Sequence, residues 1–116
     1  MKPVIWIGSS QKDLRAFPPA VRRDIGYALF AAQKGETDPA AKPLKGFKGR
    51  QVVEIVEQYR TDAYRAVYTV QFADFIYVLH AFQKKARKGI STPKKDIDLI
   101  RRRLKEADQD YRERRG

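Results

Sequence analysis

The chain has 116 residues, a formal net charge of +11 and a sequence pI of about 10.1. Its length fits one domain, residues 1–116, and the excess of cations predicts a polyanionic partner such as RNA, DNA or an acidic protein. It has no cysteine and one histidine, so disulfides and thiolate catalysis are excluded and a multi-histidine metal site is not expected.

The N-terminal segment predicts a short buried strand from Val4 to Ile7, stopped by Gly8. This apolar run is too short for a signal sequence or a membrane span. We therefore expect a cytoplasmic protein without a membrane partner.

Two helices are predicted next. Ser9 and Ser10 suit the start of a short helix over residues 11–16, and Pro19 suits the first turn of a second helix that runs to about Lys34. Apolar residues at helical spacing give the second helix one buried face: Val21, Ile25, Ala28, Leu29 and Ala32.

The composition of residues 36–49 indicates a loop, because prolines and glycines are frequent in it. Lys42, Lys45 and Lys48 recur there every three residues. A strand from Val52 to Tyr59 follows, with Val52, Glu54 and Val56 on one face.

Residues 64–82 are rich in β-branched and aromatic side chains and predict two strands, joined by a hairpin at Ala73 and Asp74. Four cations follow at the end of the second strand: Lys84, Lys85, Arg87 and Lys88. Fixed cations at the rim of a small sheet suit a surface that grips a phosphodiester backbone.

A last helix is predicted with Thr92 as its cap and Pro93 at its first position. The element order β–α–α–β–β–β–α predicts an α+β fold. We expect a small, mainly antiparallel sheet with the helices packed on one face.

Three motifs in this order carry a family resemblance: Lys42-Pro43-Leu44-Lys45-Gly46, then Tyr64-Arg65, then Phe82-Gln83-Lys84-Lys85. From Pro3 to Tyr111 the chain resembles the RelE/ParE superfamily, in its HigB-like, phage-associated branch. The resemblance implies a RelE-like fold and the toxin of a type II toxin–antitoxin pair. Most studied relatives are ribosome-dependent mRNA endoribonucleases that need neither metal nor cofactor.

The resemblance also implies the partners, which are the ribosome, mRNA and a cognate antitoxin, expected to be acidic or of the helix-turn-helix type. Two alternatives stay open. One is a ParE-like inhibitor of DNA gyrase that is not an enzyme. The other is a nucleic-acid-binding relative without toxicity.

Cleavage of RNA by its own 2′-hydroxyl needs a proton acceptor, cations on the phosphate and a proton donor for the 5′-oxygen. The expected catalytic residues are Arg65, Lys84, Lys85 and His80, and the expected RNA-binding residues are Lys45, Lys48, Arg50, Tyr64, Arg87 and Lys88. The resemblance places Arg65 on the scissile phosphate, and Tyr64 is the expected base-stacking ring.

Each of these side chains also has a structural interpretation. Arg65 could pair with Glu54 or Glu57 across the sheet, and the lysines could be charges that protect a strand end. Strict alternation puts His80 on one face with Val78 and Phe82. His80 could be a catalytic acid or base there, or a packed core residue. The sequence departs from the family at Val56, where many relatives carry arginine in a Glu-Leu-Arg triplet.

Overall fold

A computed structural model describes residues 1–47, 49, 51–84 and 91–116. Its elements are β1 Val4–Trp6, α1 Ser10–Arg15, α2 Pro19–Gln33, β2 Ala41–Pro43, β3 Val52–Tyr59, β4 Asp62–Thr69, β5 Ile76–Lys84 and α3 Lys94–Arg115. None of the helices in these ranges is both long enough and apolar enough to cross a lipid bilayer.

The five strands form one sheet in the order β1-β5-β4-β3-β2. β1 runs parallel to β5, and every other neighbouring pair is antiparallel. The predicted α+β class with a mainly antiparallel sheet is confirmed. β2 lies inside the segment that was predicted to be a loop. The sequence does not reveal this strand, because an edge strand of three residues that ends in Pro43 is too short to show an alternating pattern.

The helices lie on both faces of the sheet, so the expectation of one covered face is wrong in this respect. Ile76 and Val78 of β5 pack with α1 and α2 around Ile25, whereas Tyr77 and Leu79 pack with α3 around Ile100. β4 and β5 are central strands buried on both sides, and such strands need an apolar layer on each face.

A β-bulge interrupts the pairing of β4 with β5. Val67 lies opposite His80 while Tyr68 lies opposite Val78, which leaves Leu79 as the extra residue. The strict alternation expected for His80 is therefore wrong. His80 shares a face with Phe82, and their rings stack with centroids 4.6 Å apart, but Val78 points to the opposite face.

Candidate functional site

A buried polar cluster lies on the α3 face of the sheet, where β3 and β4 meet the start of α3. Arg65 Nη1 donates to Glu54 Oε1 at 3.1 Å and lies 3.5 Å from Thr92 Oγ1, and Thr92 Oγ1 donates to Glu54 Oε2 at 2.7 Å. Register explains the pairing, since Glu54 lies opposite Val67 and Arg65 lies opposite Val56. Glu54 and Arg65 are thus diagonal neighbours on one face.

Arg65 is only 4% exposed, which corrects the expectation of a cation at the sheet surface. A guanidinium can be buried there because the Glu54 carboxylate compensates its charge. The predicted structural alternative for Arg65, a pair with Glu54 across the sheet, is the arrangement found.

His80 lies beside this cluster on the same face and is 7% exposed. Its Nε2 is 2.8 Å from Asp96 Oδ1, in the first turn of α3. Burial lowers the pKa of His80 below 6.5, and Arg103 lowers it further, although the hydrogen bond to Asp96 acts in the opposite direction. The imidazole is therefore mainly neutral at neutral pH, in a packed and hydrogen-bonded position.

Lys84 is the half-exposed cation at the end of β5, opposite Ala63 of β4. Because residues two apart share a face, Lys84 lies on the same side of the sheet as Phe82 and Arg65. The structure thus brings three expected catalytic residues, Arg65, His80 and Lys84, to one face.

Lys45 is exposed on the loop that leads to Phe47. The Arg101 guanidinium of α3 lies 4.7 Å from the centre of the Phe47 ring, so this loop is held against α3. Lys45 is therefore on the α3 side of the molecule, as the cluster is.

Tyr64 is separated from the other expected site residues. It is 7% exposed and belongs to the core on the α2 face, with its ring centroid 4.9 Å from that of Phe17 and 6.4 Å from that of Tyr59. This corrects the expectation of a base-stacking ring, because a nucleobase has no open face of Tyr64 to stack on.

The remaining expected site residues lie outside the described residues: Lys48, Arg50, Lys85, Arg87 and Lys88.

The site residues predicted from the sequence do not include Glu54 and Thr92 of the cluster, or Asp96, which binds His80 beside it. One feature of the sequence could have indicated Glu54. It lies on the same strand face as Val52 and Val56, and a carboxylate among apolar neighbours needs a charged or hydrogen-bonding partner. Thr92 was expected to cap the last helix, but Pro93 occupies the N-cap position and the Thr92 hydroxyl contacts the strands instead.

A family model described as "Phage derived protein Gp49-like (DUF891)" matches residues 12–105, which include every residue of the cluster. Neither a curated protein nor a solved structure matches the chain significantly.

Proposed function

Because the chain belongs to the phage-derived Gp49-like family, which is associated with toxin–antitoxin toxins, we propose that it is a cytoplasmic type II toxin that cuts mRNA on the ribosome. The family implies an antitoxin as partner. The whole chain acts as a single HigB-like toxin domain in this proposal.

The observation that carries the proposal is the Glu54–Arg65–Thr92 cluster, with Lys84 on the same sheet face. A carboxylate beside a guanidinium supplies a proton acceptor and a phosphate-binding fork in one place. Lys84 adds a half-exposed cation at the end of the neighbouring strand β5, where it can meet a second phosphate oxygen.

The proposed reaction follows from these groups. Lys84 binds the phosphate at the sheet rim, and the phosphate displaces the Thr92 hydroxyl and takes over part of the Arg65 fork. Glu54 then accepts the proton of the 2′-hydroxyl, the 2′-oxygen bonds to phosphorus, and the bond to the 5′-oxygen breaks. The Lys84 ammonium donates the proton that the leaving 5′-oxygen needs. The products are a 2′,3′-cyclic phosphate and a 5′-hydroxyl.

Val56 fits this arrangement. It lies directly opposite Arg65 in the β3–β4 register, at the place where many relatives carry a second arginine. With valine there, one guanidinium faces Glu54, and the two form the 3.1 Å pair. We propose that Arg65 is the guanidinium of this cluster that acts on the phosphate.

Induced expression in cells that lack the antitoxin tests the function. We expect amino-acid incorporation to fall before thymidine incorporation, with new mRNA ends detected by primer extension. The matched control is the Glu54→Gln, Arg65→Met double variant, which removes both charges and keeps the side-chain volumes. A fall in DNA synthesis first, with DNA-damage signalling, would instead support gyrase inhibition.

A further inference from the structure

The charges of α3 are distributed unevenly along the helix. Residues 94–105 carry six cations and two carboxylates, a net of +4, whereas residues 106–115 carry three cations and four carboxylates, a net of −1. The first half of α3 begins at the Glu54–Arg65 cluster, since Thr92 and Asp96 both reach the sheet there.

Several charged side chains in this first half already have a partner within the protein. Asp96 is bound to His80, Asp98 pairs with Lys94, and Arg103 donates to the carbonyl of Leu79. Arg101 lies over the Phe47 ring. Three exposed cations remain: Lys95, Arg102 and Lys105. Among the described residues, no carboxylate lies within ion-pairing distance of these three side chains.

These three residues, which we call the α3 platform, lie on one side of a rigid helix over about 15 Å. Lys95 also lies in the first turn, where the helix dipole disfavours a cation by a few tenths of a kcal/mol or more. Lys95 therefore does not serve to stabilise the helix, whereas binding to an anionic partner would explain a lysine at this position.

The second half of α3 provides the contrast. Arg112 pairs with Asp108 and Arg114 pairs with Asp110, while Arg115 lies over the Tyr111 ring. The cations of this half are held by partners within the helix, so the same helix contains an engaged cationic set and a platform that faces solvent.

We propose that the α3 platform docks on the phosphate backbone of an RNA duplex, separate from the single strand that is cut. Single-strand binders add aromatic rings on which bases stack. Here the large exposed aromatic side chains in the described ranges, Tyr27 and Phe30, belong to α2 on the other face of the sheet. Trp6, near Arg102, is half-buried against the hydrophobic core on the α2 face of the sheet. Duplex RNA is recognised through its shape and backbone, which a cationic helix without stacking rings can contact.

This inference rests on the proposed function, because a toxin acting on the ribosome meets ribosomal RNA stems beside the mRNA. The probe is a fluorescein-labelled RNA hairpin with a stem of about 16 base pairs. Two triple variants of the full chain are compared: Lys95→Gln with Arg102→Gln and Lys105→Gln, and the control Arg112→Gln with Arg114→Gln and Arg115→Gln. Both variants lose three positive charges, and thermal melts establish that both are folded.

We expect the platform variant to bind the hairpin about tenfold or more weakly, with a salt-dependence slope reduced by about two to three contacts. The control should stay within about threefold of the parent, since its cations are already paired. If both variants lose the same affinity for the hairpin, the overall positive charge of the chain accounts for binding, and the platform proposal is overturned. Equal weakening for a single strand of the same length would overturn the duplex assignment.

Cleavage of mRNA during translation, measured in parallel, separates this inference from the proposed function. If the parent cleaves and the platform variant binds the hairpin normally, the platform is wrong and the function stands. If the parent cleaves nothing while the platform variant loses hairpin binding, the function is wrong and the platform stands.

Discussion

Glu54 Oε1 and Arg65 Nη1 lie 3.1 Å apart on neighbouring strands, with side chains that are 12% and 4% exposed. Removing one member of such a pair leaves the other charge buried. We therefore expect Arg65→Ala to lower the free energy of unfolding by about 3–5 kcal/mol, measured by urea denaturation.

The Glu54→Gln, Arg65→Met double variant separates stability from activity. It removes both buried charges, so its free energy of unfolding should stay within about 2 kcal/mol of the parent. Primer extension should nevertheless detect no mRNA cleavage. Full toxicity of this folded variant would exclude the cluster from the reaction.

Lys84→Ala should abolish toxicity at little cost in stability, because Lys84 is half-exposed and has no described ion-pair partner. The free energy of unfolding should change by about 0.5 kcal/mol or less, and the cleavage rate should fall by about 10²–10³. The control is Arg22→Ala, which removes an exposed cation from α2 on the other face. Equal losses in the two variants would mean that net charge, rather than position, matters.

His80→Ala should unfold more easily than the parent, by about 2 kcal/mol or more, since it removes a stacked ring and the hydrogen bond to Asp96. Its loss of cleavage should follow the loss of folded protein. A variant that melts like the parent and fails to cleave would instead make His80 a catalytic acid or base.

Stability should depend on pH through the same histidine. Burial lowers the pKa of His80 in the folded state, so between that value and 6.5 the unfolded chain binds the extra proton. The free energy of unfolding should therefore rise with pH through this window and level off above it. His80→Gln, compared with the parent by urea denaturation at about pH 5 to pH 7.5, should lose this part of the slope. An unchanged slope would point to other groups.

Lys45→Ala should reduce the salt dependence of RNA binding without affecting the fold. Lys45 is exposed, and each phosphate contact on a single strand contributes a slope of about −0.7. Fluorescence anisotropy at several salt concentrations measures the slope, and Arg22→Ala is again the matched control. Identical slopes for the parent and Lys45→Ala would remove this lysine from the interface.

Gly26→Ala should stabilise the protein by roughly 0.5–1 kcal/mol, because glycine weakens the interior of a helix. Gly26 is exposed in the interior of α2, and a Cβ at this position would meet no atom within 4 Å. The thermal midpoint should rise while toxicity is unchanged. A lower midpoint would contradict this account of α2.

The sequence predicted the principal elements because their periodicity is strong. The apolar spacing of α2 and the β-rich composition of β4 and β5 are local properties, and the structure has helices and strands there. Which face of the sheet each helix covers is not local. α2 and α3 are both amphipathic, and only the burial of both sides of the central strands requires them to lie on opposite faces.

The candidate site was predictable in part. Arg65 and Lys84 follow from the family motifs, whereas Glu54 and Thr92 become partners through strand register and the position of the α3 start. The burial of Arg65 follows from those two contacts, so strand propensity alone could not reveal it. Tyr64 was misassigned because strand alternation gives two faces without saying which one lies under α2.

The extra residue in β5 has a consequence for how this strand tolerates substitution. Even-numbered positions before Leu79 face α2, whereas His80, Phe82 and Lys84 face the other way. A saturation scan of residues 76–84 should thus show a tolerance pattern with a period of two whose phase inverts at position 79. An alignment that forces uninterrupted alternation through this strand would assign half of it to the wrong side, and a one-residue insertion or deletion is the smallest genetic change that could exchange the two sides.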